Sequence, residues 1–189
     1  MRIAEIVCVF PPYRGGIGKT AYEQSRGLAE SGCGVEVFTP DYGQGKIAGE
    51  KFKINYLKPV VKFGNAAFLP QLWRRLKSFD AVIFHYPFFG TMEVLWLAKK
   101  LRIWRGKLFV YYHMDFLPTS LFLKIFSWPS RIIFKSFLKS AAKIIVQSID
   151  YTEHSALKDF YFSNKDKFVE IAPGTDGQLT ISNKQLTKN

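Results

Sequence analysis

The chain predicts an α/β fold: a parallel, Rossmann-like sheet with helices on both faces. Three observations carry that prediction. Short continuous apolar runs recur along the chain, as strands buried on both faces require. Helical patterns alternate with them, which is the order of a parallel sheet with crossover helices. The first apolar run also leads straight into a glycine-rich turn and a helix start, at Phe10-Pro11-Pro12-Tyr13-Arg14-Gly15-Gly16-Ile17-Gly18-Lys19-Thr20.

The elements follow in order. Ile3–Phe10 is the first predicted strand. Gly18–Ser31 is a helix, with Ala21, Gln24/Ser25, Leu28 and Ala29 on one face and Gly32 as its stop. Val35–Thr39 is the second strand, closed by Pro40-Asp41-Tyr42-Gly43, and a Gly- and Lys-rich loop runs to Lys51. Phe52–Leu57 alternates enough for a strand, and Asn65–Lys77 reads as a helix. Residues 79–84 form a buried strand ending at His85, and Phe88–Ile103 is helical. Strands are expected at Lys107–His113, Ala142–Gln147 and Phe168–Ile171, with a helix over Ile149–Phe160 capped by Asp150. Phe116–Lys139 is apolar and basic, and Pro129 is expected to split it into two short helices.

Length and composition narrow the class. One domain is the prior for 189 residues, and 48% hydrophobic content supports a sizeable core. No stretch of eighteen uncharged apolar residues occurs, and the acid at Glu5 argues against a signal peptide. Cys8 and Cys33 lack metal-ligand spacing. Cys8 reads as a buried thiol, and the pair suits a reducing cytoplasm. Net charge is +12. Ten basic residues and one acid, Asp115, lie between Lys99 and Lys143. Such a surface attracts phosphate, whether on nucleic acid, anionic lipid or a phosphorylated substrate.

A parallel sheet places its ligands beyond the carboxyl ends of its strands. Gly15 and Gly16, His85, His113 with Asp115, and Ser148 with Asp150 should therefore share one edge. Glycines let a backbone approach phosphate closely, and a helix N-terminus favours negative charge. Arg14 and Lys19 flank that turn and complete, with His85 and Ser148, a cleft lining. His85 also has the bland reading of a satisfied structural group, and His154 reads as a surface residue. Gly18-Lys19-Thr20 resembles the end of a P-loop. However, Tyr13 stands where that loop needs glycine, and the strand at 79–84 ends in His85 rather than the Mg²⁺-handling Asp. No metal cluster and no nucleophile triad is apparent.

Read together, these marks resemble a family. They are Pro11-Pro12 with Gly15-Gly16, the helix end and following strand Leu28–Val37, Phe79–His85, Tyr111–Asp115, Ala141–Ser148 and Phe168–Asp176, which closes on Ala172-Pro173-Gly174-Thr175-Asp176. In that order they are similar to the N-terminal domain of family 4 glycosyltransferases of the GT-B fold. Cys33 stands where the family usually has His, and the last motif is a degenerate Pro-Asn-Gly-Val-Asp.

The resemblance implies transfer of a sugar from a nucleotide sugar to a glycan or lipid-linked acceptor. It implies retention of configuration, with neither metal nor cofactor and no nucleic-acid partner. It assigns His113 and Asp115 to catalysis and Gly15 and Gly16 to the donor diphosphate. Residues 1–176 would be the acceptor-side domain and 177–189 the start of an interdomain linker. The donor-binding domain is then expected to be missing, as in a truncated product or a split enzyme with a separate donor-binding subunit, and the chain alone inactive. A second expectation concerns Lys124, Trp128, Arg131, Lys135 and Lys139: a surface for anionic lipid, with the protein at the inner face of the membrane. The alternative class is a non-catalytic domain that binds anionic lipid or a partner protein.

Overall fold

A computed structural model describes residues 1–43 and 45–172. Its main sheet has seven strands, all parallel: β1 (Arg2–Ile6), β2 (Gly34–Pro40), β3 (Lys53–Leu57), β6 (Ala81–Tyr86), β7 (Lys107–Tyr112), β8 (Lys143–Val146) and β9 (Phe168–Glu170). The spatial order is β3-β2-β1-β6-β7-β8-β9. The order reverses at β1, so the crevice between the ends of β1 and β6 is the switch point of the fold. Two short strands, β4 (Val61–Phe63) and β5 (Ala66–Phe68), form a separate antiparallel hairpin.

Alternation along each strand sends side chains to two faces. On one face Ala4, Ile6, Val82, Phe84, Val110, Tyr112, Ile144 and Val146 meet the helices α2 (Leu72–Arg75), α3 (Thr91–Lys100), α4 (Leu121–Ser140) and α6 (Lys158–Phe162). On the other face Val7, Val35 and Val37 meet α1 (Gly16–Glu30) through Ala21 and Ile17. Helices on both faces are therefore observed. Gly18 lets α1 close on the sheet: a Cβ there would lie 2.9 Å from the Val9 carbonyl oxygen. Gly32, at φ +86°, ends α1 where the sequence placed its stop.

Several predicted boundaries shift. β1 leaves the ladder at Ile6, although Val7–Phe10 stay buried as the chain enters the turn. Asn65–Lys77 is not one helix. Asn65 sits in the turn of the hairpin, Pro70 punctuates the chain, and only α2 with a single 3₁₀ turn at Leu76–Ser78 is helical. Gly90, at φ +83°, packs on that hairpin, and a Cβ there would lie 2.7 Å from the Ala67 carbonyl oxygen. The Thr91 hydroxyl donates to the same carbonyl at 2.7 Å.

Pro129 does not split α4. The helix runs unbroken, and the residue whose carbonyl loses its N–H partner to Pro129, Ile125, is exposed. Ile149–Phe160 is two short helices, α5 (Ile149–Glu153) and α6, and the cap of α5 is Ser148, not Asp150. Of the closing motif only Ala172 is described. Asp176 and the tail 177–189 lie outside the described residues, as does the place where the domain would end.

Candidate functional site

The glycine turn joins the end of β1 to α1. The helix starts at Gly16, with Gly15 as an extended cap residue and no side-chain cap. Lys19 N–H makes the first helical bond, to the Gly15 carbonyl at 3.0 Å. A Cβ at Gly16 would meet nothing within 4 Å, so this face of the turn is open. Arg14 and Lys19 are both exposed beside it. The turn is held from behind. The Tyr56 hydroxyl donates to the Pro11 carbonyl at 2.8 Å, and the Tyr13 hydroxyl donates to Asn65 Oδ1 at 3.4 Å. Tyr13, which breaks the P-loop pattern, thus ties the turn to the hairpin.

Beside the switch point lies a row of polar side chains on the α1 face of the sheet. Glu5 pairs in register with Ile83, two residues before His85, so both point the same way. His85 is inside β6 rather than beyond it, and it is fully buried, as is Glu5. The Ser25 hydroxyl donates to Glu5 Oε2 at 2.6 Å. His85 Nε2 lies 3.8 Å from the same oxygen. His85 Nδ1 is 2.8 Å from His113 Nε2, and the Gln147 amide nitrogen is 3.3 Å from His113 Nδ1. Tyr111 stacks against both imidazoles, with ring centres 5.5 Å from His85 and 4.4 Å from His113. Five side chains therefore run from the buried centre of the sheet to the half-buried His113 and Gln147 at its edge.

Burial controls the charge of this row. It raises the Glu5 carboxyl to about 8, against the smaller opposing effect of the Ser25 hydroxyl. It lowers His85 to about 3. His113 is lowered by burial first, and further by charge on His85. Both imidazoles are thus neutral near pH 7. The sequence reading found His85 and His113 and missed Glu5, Ser25 and Gln147. The available signal was an acid in the middle of a continuous apolar strand.

Asp115 sits apart from this row. Its carboxylate accepts the Tyr112 hydroxyl and, at 3.1 Å from each oxygen, the Ala156 N–H. Its own N–H donates to the Tyr151 hydroxyl at 3.2 Å. Ser148 accepts the Tyr151 N–H at 3.3 Å as the cap of α5. Asp115 and Ser148 thus brace the loop after β7 against the α5–α6 corner. His154 is exposed, as expected. Cys8 is a buried free thiol, pushed up to about 12 by burial.

The third feature is the outer face of α4. Leu121, Ile125, Trp128 and Ile132 are 73%, 67%, 62% and 60% exposed. At 100° per residue they fall within roughly 40° of one line. Lys124, Arg131 and Lys135 run along one flank, Lys139 continues the line, and all four are exposed. Ser127, Ser130, Phe137 and Leu138 are buried on the far side, with Ser130 bonded to Glu93 and Trp96 Nε1 donating to Ser136 at 3.0 Å. The hairpin adds to this surface: Phe63 lies 5.6 Å from Phe126, and Val60 and Val61 are exposed nearby in sequence. Among the described residues no helix is long and apolar enough to cross a membrane, and no three His, Cys, Asp or Glu side chains gather as metal ligands.

The seven-stranded parallel, Rossmann-like sheet, with its open glycine turn and the polar row at its switch point, has the fold of a GT-B domain. Residues 14–177 match the model of Glycosyltransferase Family 4, and the chain belongs to that family. It is 27% identical over 173 residues to O-antigen chain mannosyltransferase C of Escherichia coli, covering 88% of this chain and 44% of that protein. Among solved structures it resembles Anabaena Alr3699/HepE, crystallised with UDP-glucose. The TM-score is 0.53 at 13% identity, over 93% of this chain and 44% of the other. The chain thus spans less than half the length of these two proteins.

Proposed function

We propose that this chain is the acceptor-side domain of a transferase that moves a sugar, with retention of configuration, from a nucleotide sugar to a glycan or lipid-linked acceptor. The observation that carries the reading is the placement of His113 beside the switch point, braced by His85 and Tyr111. In this reading His113 bonds the transferred sugar. The free amides at the start of α1, with Gly15 and Gly16, receive the donor diphosphate as the second domain closes. Arg14 and Lys19 add positive charge there. Asp115 positions the loop that carries His113 and does not itself act on the acceptor hydroxyl. No residue here is assigned to hold a metal. The likeness to an O-antigen mannosyltransferase supports a role in polysaccharide assembly, with mannose as the first sugar to try.

We also propose that the outer face of α4 rests on anionic lipid at the inner face of a membrane. An exposed apolar line with a basic flank suits a bilayer interface. This observation equally supports a purely lipid-binding domain, so transfer itself must be measured. The chain should be combined with a family donor-binding domain and offered nucleotide-activated mannose and UDP-glucose. The expected result is transfer with retained anomeric configuration by the pair and none by the chain alone. Transfer by the chain alone overturns the two-domain reading. Lipid binding with no transfer by any pair leaves the binding domain as the function.

A further inference from the structure

Glu5 is costly where it stands. A buried carboxyl disfavours ionisation, and its Oε1 has no hydrogen-bond partner among the described residues, nor does His85 Nε2. A hydrophobic residue would fill the same strand position without that cost. The geometry offers a use for it. His85 Nδ1 and His113 Nε2 are 2.8 Å apart and neither imidazole is charged, so one proton lies between them. Whichever nitrogen holds it fixes the tautomer of both rings.

Two arrangements satisfy the row. In the first, Glu5 is a carboxylate, His85 carries its proton on Nε2 toward Glu5, and His113 carries its proton on Nε2 toward His85. The outer nitrogen of His113, Nδ1, is then a hydrogen-bond acceptor. In the second, Glu5 is protonated toward His85 Nε2, His85 carries its proton on Nδ1, and His113 carries its proton on Nδ1, which is now a donor. The Gln147 amide has both a donor and an acceptor and serves either state. The 3.8 Å between Glu5 and His85 exceeds a hydrogen bond by roughly 1 Å, so either arrangement requires the two side chains to move together by that amount.

We propose that Glu5, His85 and His113 act as one proton site, in which protonation of the buried carboxyl switches His113 Nδ1 from acceptor to donor. The step balances. One proton binds His113 Nδ1; the proton on His113 Nε2 passes to His85 Nδ1; the proton on His85 Nε2 passes to Glu5. No imidazolium forms, and the net charge of the row rises by one. Glu5 is thus a positioning residue that acts on His113 through His85.

The groups facing this row are few. β2 and β6 place Val37 and Ile83 in register with Glu5, and neither titrates. α1 contributes Ser25. β7 contributes Tyr111, whose hydroxyl donates to the Ile171 carbonyl at 3.3 Å. β8 leads to Gln147. Burial places the carboxyl near 8, so the donor state dominates at neutral pH. The consequence for transfer rests on His113 facing the sugar, as proposed above; the switch itself does not.

The test is the nitrogen NMR spectrum of the histidines in the ¹⁵N-labelled chain from pH 6 to 10. The expected result is that His113 Nδ1 changes from protonated to unprotonated with a midpoint near 8. Glu5→Gln keeps the shape and a permanent N–H toward His85, so His113 should stay protonated on Nδ1 throughout. Ser25→Ala removes the hydroxyl that favours the carboxylate, and it should move the midpoint up by about one unit. It serves if Glu5→Gln fails to fold. A fixed His113 tautomer in the unaltered chain overturns the proposal, as does a switch unchanged in either variant. A switch without sugar transfer by any two-domain pair keeps this inference and removes the transferase reading; transfer without a switch does the reverse.

Discussion

His113 Nε2 lies 2.8 Å from Nδ1 of the fully buried His85, so the outer histidine is positioned by the inner one. The two rings also stack, with centres 5.1 Å apart. His113 is the half-buried member, and it is the one that a ligand at the strand edge would meet. His113→Ala should therefore cut transfer by the two-domain pair about 100-fold, in the range of a lost positioned catalytic group. Stability should fall as well, by about 1–3 kcal/mol, because the buried His85 Nδ1 loses its partner. His85→Ala should lower both, because it leaves Glu5 without its neighbour and a hole in the sheet face. Normal transfer by His113→Ala takes this residue out of the site.

The same row sets a pH dependence of stability. Glu5 is raised from 4.5 to about 8, so the fold prefers it protonated. Its contribution is complete below pH 4.5 and is lost as pH rises toward 8. The histidines are lowered from 6.5, so their contribution is complete above pH 6.5 and is lost as pH falls toward the folded value, about 3 for His85. Between 4.5 and 6.5 two histidines outweigh one carboxyl, and stability rises with pH. Above 6.5 only Glu5 still titrates, and stability falls. Urea unfolding from pH 5 to 8.5 should peak near 6.5, and Glu5→Gln should remove the decline above it. A curve of the same shape in the variant would contradict this account.

The glycine turn makes a paired prediction. A side chain at Gly16 enters open space, whereas one at Gly18 meets the Val9 carbonyl oxygen at 2.9 Å. Gly18→Ala should destabilise the chain by about 1–3 kcal/mol, since backbone must move. Gly16→Val should leave unfolding nearly unchanged and abolish transfer, because its Cβ stands where the diphosphate would approach. Transfer at the normal rate by Gly16→Val would make the turn structural alone.

The sheet was legible because each central strand is a continuous apolar run bounded by turn residues. Ala81–Val82–Ile83–Phe84 can scarcely be anything else. The hairpin was not legible. Val61–Phe63 and Ala66–Phe68 are three residues each and mostly exposed, with no alternation long enough to detect. Trp73, Leu76 and their basic neighbours imitated a longer helix that Pro70 interrupts. At the site, His85 and His113 were visible as strand-end histidines. Glu5 was visible as an acid inside an apolar strand but not as the neighbour of His85, since a sequence does not show which strand lies next to β1. Its partner Ser25 was seen as part of the α1 face, without the sheet acid it meets.

The last prediction concerns the outer face of α4. The apolar residues of Phe116–Lys139 are too many for one buried stripe, and the structure divides them. Phe137 and Leu138 go into the core, while Leu121, Ile125, Trp128 and Ile132 line the opposite side. Such a line in water is costly unless something covers it, and its basic flank selects a negative surface. Each basic residue near an anionic leaflet contributes about 1 kcal/mol, less at high salt. The chain should sediment with vesicles containing anionic lipid at low salt and be released at high salt. Arg131→Ala with Lys135→Ala should weaken binding roughly 30-fold, the equivalent of about 2 kcal/mol. Trp128→Glu with Ile132→Glu should abolish it, because the apolar line then carries charge. Neither pair touches the buried side of the helix, so unfolding should be unaffected. Equal binding to neutral vesicles, or none at low salt, would return α4 to an ordinary solvated face.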